Sequence, residues 1–303
     1  MSPLEPLISV PAIDDLRRDR SGHLVGRTIL DRSAKWLLPL LYLVAIGPIL
    51  SLVYWISVRA VPTLSWHVLT TNPSGEAGGL YAPLMGSLAI ILLATAVAVA
   101  FGFLGGLATA EYLSDRAAET VRVSANVFAG TPAIILGLFG YFALVEYLGW
   151  GPSLAAASVT LGIFMTPYVF RATDLAYASI PRHIREAAVG SGARPVQYLL
   201  RIATPIAFPQ VLTGIFLAMA IGVGETAPLV LTTNQYSLPP TGLFSKAGAL
   251  PLDIWGAYQN PLPGIVTAAF QSAFLLLVIV VGLNVIVRIV AVRSRRRLEG
   301  LYQ

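Results

Sequence analysis

The stretch Arg182–Pro205, RHIREAAVGSGARPVQYLLRIATP, decides how the rest of the chain is interpreted. It is a charged interlude between two strongly apolar segments. Gly190 and Gly192 make a continuous helix costly after the helix-forming run around Glu186, and Pro195 suits the first turn of a following helix. The pattern predicts two short amphipathic helices hinged at residues 190–192. Such an element indicates either a docking site for a soluble partner or an ordinary interfacial helix.

The composition is that of an integral membrane protein. Hydrophobic residues make up 56% of the 303 residues and charged residues only 12%, with a mean hydropathy of +0.74. The 27 glycines and 21 prolines are spread through the apolar segments, as is usual for membrane helices. The absence of cysteine excludes disulfides and thiolate metal sites. The net charge of +5 resides in loops and tails, which favours membrane topology over nucleic-acid binding as its explanation.

Six apolar segments are each long enough to cross a hydrocarbon core of about 30 Å. They cover residues 36–58, 82–110, 123–148, 153–177, 206–231 and 262–290. We therefore predict an all-α protein with a polar N-terminal tail (1–35), a six-span membrane domain (36–290) with a charged loop at 178–205, and a basic C-terminal tail (291–303). In the second span, Gly102 and Gly106 offer a small-residue face for close helix packing.

The distribution of Lys and Arg predicts the orientation of the chain. One side carries the N-terminal tail, Arg116, Arg122, the 178–205 loop and the C-terminal tail, whereas the other side carries only Arg59 and Lys246. By the positive-inside rule both termini and the charged loop face the cytoplasm.

The sequence offers few candidates for a nucleotide-binding, metal-binding or catalytic site. Its two lysines, Lys35 and Lys246, do not stand in a phosphate-binding loop. The three histidines lie in loops or the tail without carboxylates at metal-ligand spacing, and no Ser/His/Asp set is evident. We expect no nucleotide, metal or cofactor in this chain. Energy for transport would come from another subunit or from an ion gradient.

Two ionisable residues inside the spans are candidates for a transport path, because a charge at membrane depth costs at least ~2.5–3.5 kcal/mol. Glu225 lies in the fifth span, where Gly222, Gly224 and Pro228 should open the helix around it and Thr226. The alternative is a structural, hydrogen-bonded carboxyl.

Arg171 lies in the inner half of the fourth span, and its guanidinium offers forked donors. Asp174 lies one turn away, so an Arg171–Asp174 pair at the interface is the alternative. The placement of Arg171 and Glu225 in opposite halves argues against a direct pair between them.

Four stretches of the sequence carry a family resemblance. The spacing of Glu186-Ala187-Ala188, Gly192, Ile202 and Pro205 resembles the EAA loop of ABC-importer permeases, with Thr204 in place of the usual Leu. Residues 224–229 (GETAPL), 129–138 (AGTPAIILGL) and 168–174 (YVFRATD) resemble the PstA type of phosphate permease. The resemblance covers residues 36–290. One departure is Ile221, where related permeases often have a second arginine, so a second positive charge must come from elsewhere.

The resemblance implies a type I ABC-importer permease fold and one permease subunit of an ATP-driven, high-affinity phosphate importer in a bacterial inner membrane. It implies a second, homologous permease, a cytoplasmic ATPase dimer carrying ATP and Mg²⁺, an external phosphate-binding protein and surrounding lipid as partners, and no nucleic acid. It places Arg185, Glu186, Ala187, Ala188 and Gly192 in a cytoplasmic coupling helix, and Arg171, Glu225 and Thr226 along the path. Alternatives are a permease for sulfate or molybdate, or a transporter or channel working without an ATPase.

Overall fold

A computed structural model describes residues 35, 41–74 and 78–299, with only the backbone described for 293–299. The predictions for the tail 1–34 and for the side chains of the basic C-terminal tail lie outside the described residues. Two units are distinguished, residues 1–55 and 56–303. In the first unit, residues 41–55 are helical and mostly apolar. The second unit holds the helix bundle.

Eleven helices account for the described secondary structure, and we number them in chain order. They are α1 (Leu41–Thr63), α2 (Trp66–Thr70), α3 (Tyr81–Glu111), α4 (Asp115–Ala129), α5 (Ala133–Tyr147), α6 (Leu154–Ala178), α7 (Arg182–Gly190), α8 (Pro195–Gly222), α9 (Ala227–Thr232), α10 (Leu250–Gln259) and α11 (Pro263–Glu299). Helices α1, α3, α6, α8 and α11 are each long and apolar enough to cross a membrane. The predicted all-α membrane fold is confirmed.

The third predicted span, residues 123–148, is not one straight helix. Helices α4 and α5 meet at an angle of 91° and together make the sixth candidate span. Pro132 causes the break, because it has no N–H to donate and disfavours helical backbone at Thr131. The end of α5, Tyr141–Tyr147, is π-helical.

The charged loop differs from its prediction in its second half. Helix α7 forms as predicted and ends in a turn at Gly192, whose φ of +80° favours glycine. Pro195 then occupies the first turn of a helix, also as predicted, but this helix is not short. It continues through a π-helical stretch at Leu199–Ala203 into the fifth span. The π stretch stands just before Pro205, which has no N–H for an ordinary helical hydrogen bond.

Helices α3 and α6 cross closely over the predicted small-residue face. A Cβ on Gly102 would lie 2.7 Å from the carbonyl oxygen of Thr166, and one on Gly106 would lie 2.5 Å from that of Phe170. Only glycine permits this backbone approach, so the packing role predicted for these two residues is confirmed.

Residues 232–261 lie outside every predicted span, but part of this stretch is a folded core element. Ala247, Ala249, Leu250 and Leu252 are buried in the main hydrophobic cluster. The Leu250 N–H donates to Ser87 Oγ of α3 at 2.9 Å. The apolar run is too short to be recognised as a span, and its small residues let the backbone pack directly against α3.

Candidate functional site

Helix α7 presents one face outward and packs the other against the bundle. Glu186 and Ala187 are exposed, whereas Ala188 is buried in a small apolar cluster with Tyr177 of α6 and Tyr198 of α8. The buried side fixes the helix to the two spans that flank it. The exposed side is free to meet a soluble partner, and Gly192 supplies the turn that brings the chain back to the membrane.

Arg185 is exposed on α7, but its guanidinium contacts the bundle. Its Nη2 donates to Glu111 Oε2 at the end of α3, and its guanidinium carbon lies 5.3 Å from the ring centre of Tyr198. The Glu111 side chain is only 7% exposed, so Arg185 is its compensating charge. Arg185 thus joins α7 to two spans, an arrangement that the spacing of the loop residues did not reveal.

Glu225 stands at a break in the fifth span, as the glycines and proline around it predict. Helix α8 ends at Gly222, and α9 begins at Ala227 after Thr226. Both Glu225 and Thr226 are half-buried. Among the described residues, Glu225 forms no salt bridge. The break leaves its carboxyl accessible at the end of a long helix.

Arg171 is exposed on α6 and does not pair with Asp174. Its Nη1 donates to Asn126 Oδ1 of α4 at 3.4 Å. Asp174 instead accepts two hydrogen bonds from Arg122 of α4, each 2.8 Å long, from Nε to Oδ2 and from Nη2 to Oδ1. The Arg171–Asp174 pair considered from the sequence is therefore wrong. Arg122, Asn126, Arg171 and Asp174 line one helix crossing, whereas no ion pair or hydrogen bond joins Arg171 to Glu225 in the described part of the chain.

A buried carboxyl outside the membrane-spanning helices, Asp253 of α10, was not predicted from the sequence. It accepts a hydrogen bond from Ser272 Oγ of α11 at 2.9 Å and borders a cavity of about 240 Å³. Polar side chains of Ser74, Gln235 and Asn260 also line this cavity. Burial raises the pKa of Asp253 to about 7, and the Ser272 hydrogen bond offsets only part of that rise. Asp253 is an isolated acidic residue outside the predicted spans, and nothing in the sequence around it indicates that its carboxyl is buried.

This pKa predicts a pH-dependent stability. A carboxyl whose pKa is 3.8 when unfolded and about 7 when folded removes stability as the pH rises through that window. Between pH 5.5 and 8 the wild-type chain should lose about 2 kcal/mol relative to Asp253→Asn, which cannot titrate. Thermal unfolding of both proteins in detergent across this range measures the difference. Asp115→Asn, at an exposed carboxyl, should track the wild type; parallel curves for wild type and Asp253→Asn would contradict the prediction.

The comparisons with known proteins agree with this architecture. Residues 101–299 match the family model described as binding-protein-dependent transport system inner membrane component. The chain belongs to this family.

Among its relatives, a protein of Mycobacterium bovis named phosphate transport system permease protein PstA 2 is 35% identical over 256 residues, covering 84% of this chain and 85% of the relative. A Methanocaldococcus jannaschii protein, named probable phosphate transport system permease protein PstA, is 29% identical over 269 residues, covering 88% and 95%.

A solved structure shows the same fold at low sequence identity. A chain from inward-facing structures of the MetNI methionine ABC transporter is 20% identical and superposes with a TM-score of 0.55, covering 70% of this chain and 95% of that one. At this identity the likeness concerns the fold alone. The type I ABC-importer permease fold is thereby confirmed for a multi-pass membrane protein.

Proposed function

We propose that this chain is a permease subunit of an ATP-driven importer of inorganic phosphate. The observation that carries the proposal is the 35% identity, over most of both chains, to a relative named as a phosphate transport permease. The structure adds two features suited to the task. The exposed Arg171 offers a guanidinium to an oxyanion, and the break at Glu225 opens the fifth span next to a carboxyl.

The partners follow from the same proposal. A second permease subunit would complete the path, and a cytoplasmic ATPase dimer would bind the exposed side of α7 with Glu186 and Ala187. ATP and Mg²⁺ would reside on that ATPase, while an external binding protein would deliver phosphate. Both chain termini would face the cytoplasm, because Lys and Arg concentrate on that side. The energy of transport would then come from outside this chain.

The proposal predicts that both intramembrane candidates are needed for uptake. Arg171→Ala and Glu225→Gln should each lower ATP-driven phosphate uptake in proteoliposomes about ten- to a hundredfold, since a charge-assisted hydrogen bond contributes ~1.5–3 kcal/mol. Arg116→Ala, which removes an exposed arginine of α4, is the matched control and should transport normally.

Assembly has to be measured beside uptake in the same preparations. Each variant should co-purify with the second permease and the ATPase in wild-type amounts. Normal uptake by both Arg171→Ala and Glu225→Gln would show that these residues have a structural role and do not lie on the transport path. Competition by excess sulfate or molybdate against wild-type uptake tests the phosphate assignment itself, which predicts little inhibition by either anion.

A further inference from the structure

Helix α8 contacts different neighbours on the two sides of its π-helical turn, Leu199–Ala203. Before the turn, the ring of Tyr198 lies 5.3 Å from the guanidinium carbon of Arg185, so this end of α8 is attached to α7. After the turn, Thr204 Oγ1 and the Tyr177 hydroxyl of α6 are joined by a hydrogen bond of 2.9 Å. The π-helical turn therefore separates an end held by α7 from an end held by α6.

Beyond the turn, the fifth span packs closely against α6. A Cβ on Gly214 would lie 2.0 Å from the Cβ of Ala172, so the two helices touch where only glycine fits. Ala207 and Val211, between the turn and this contact, are buried. This part of α8 is fixed to the bundle and should move together with α6.

The hydrogen bonding of α8 changes at the turn for two local reasons. The Thr204 N–H donates to the carbonyl oxygen of Leu199, five residues back, whereas an α-helix joins residues four apart. Pro205, the next residue, has no N–H to donate. π-Helical turns and prolines are the usual points at which helices bend, and here they are adjacent. Pro209 also lacks an N–H, but it lies inside the packed part of α8.

We propose that the π-helical turn Leu199–Ala203 is a hinge at which α7 changes its angle to the fifth span during transport. The Thr204–Tyr177 hydrogen bond holds the membrane side of the hinge, so that bending is confined to the turn. The proposal rests on the proposed function, in which an ATPase binds the exposed side of α7 and moves it.

The hinge answers a mechanical requirement of this arrangement. An ATPase that closes on ATP carries α7 with it, and Arg185 carries Tyr198 with α7. If α8 were one regular helix, the same movement would pull Gly214 away from Ala172, where the packing is closest. A bend at the π-helical turn lets α7 follow the ATPase while this contact is kept.

Removal of the extra residue from the turn tests the hinge, because a π-helical turn that is one residue shorter can form an ordinary α-helix. Leu200 is the residue to delete, since its side chain is 62% exposed. The complex should retain its ATPase and its melting temperature, but the phosphate imported per ATP hydrolysed should fall about tenfold. Leu200→Ala, which keeps the length of the turn, should preserve this ratio.

The two prolines of α8 supply a second, milder pair of variants. Pro205→Ala restores an N–H at the hinge and should lower the ratio of phosphate to ATP about threefold. Pro209→Ala makes the same change within the packed part of the helix and should leave the ratio unchanged. If the deletion of Leu200 prevents assembly, this pair decides between a hinge and a purely structural turn.

A distance measurement observes the bending directly. The chain has no cysteine, so Val196→Cys and Phe208→Cys provide two spin-label sites on exposed positions either side of the turn. In a complex whose partners lack cysteine, the distance between the labels should differ by at least about 2 Å between the nucleotide-free and ATP-bound states. The deletion of Leu200 should abolish this difference.

Two results would overturn the hinge. One is a wild-type ratio of phosphate to ATP in both the Leu200 deletion and Pro205→Ala. The other is a label distance in the wild-type sequence that does not respond to ATP. Failure of the proposed function looks different, because the wild-type complex would then hydrolyse ATP without importing phosphate, whatever the label distance shows.

Discussion

Arg185→Ala is expected to lower ATP-driven phosphate uptake about tenfold while the ATPase remains bound to the complex. Arg185 links α7 to Glu111 of α3 and to Tyr198 of α8. The loop would keep its exposed docking face, but movement of α7 would no longer be transmitted through this contact. A tenfold loss of the uptake rate corresponds to ~1.4 kcal/mol of activation free energy.

Separate measurements of ATPase retention, ATP hydrolysis and uptake distinguish this role from docking. Glu186→Lys reverses an exposed charge on the same helix and should release the ATPase. Arg185→Ala should retain the ATPase and its hydrolysis yet lose uptake, and Arg185→Lys should recover part of the uptake because a cation again faces Glu111. Release of the ATPase by Arg185→Ala would show that Arg185 belongs to the docking face instead.

The sequence predicted those parts of the fold that depend on local patterns. Length and hydropathy place the membrane helices, and the glycines and proline around Glu225 predict the end of α8 at Gly222. Gly192 and Pro195 predict the turn and the restart of the helix after α7. Each of these features arises from the backbone preferences of residues close in the chain.

The remainder depends on contacts between residues far apart in the chain. The spacing of Arg171 and Asp174 predicts a pair on one helix, but Asp174 binds Arg122, 52 positions away, because a guanidinium on the facing helix reaches it with ideal fork geometry. The burial of Asp253 and the contacts of Arg185 with Glu111 and Tyr198 likewise depend on residues far apart in the chain. A single sequence shows which residues carry charge, while the packing of the helices decides which charges meet.

Gly86→Ala is expected to destabilise the chain by ~1–3 kcal/mol, the usual cost of forcing an extra methyl group into a packed site. A Cβ at this position would lie 2.0 Å from the carbonyl oxygen of Gly248. The clash would be with a backbone atom, which cannot move away by changing rotamer as a side chain can. Next to it, Ser87 accepts the hydrogen bond from Leu250, so displacement at residue 86 would also strain this contact.

Gly282→Ala of α11 is the matched control, since a Cβ there would meet no atom within 4 Å. In a helix interior alanine is favoured over glycine by ~0.8–1 kcal/mol, so the control should be neutral or more stable than wild type. The two variants make the same chemical change inside a helix, but only Gly86→Ala should lower the melting temperature in detergent. Equal changes in melting temperature would mean that α3 does not pack against residues 247–252 as closely as the Gly86–Gly248 approach implies. The burial of the Asp253 carboxyl, which follows that segment, would then not depend on this packing.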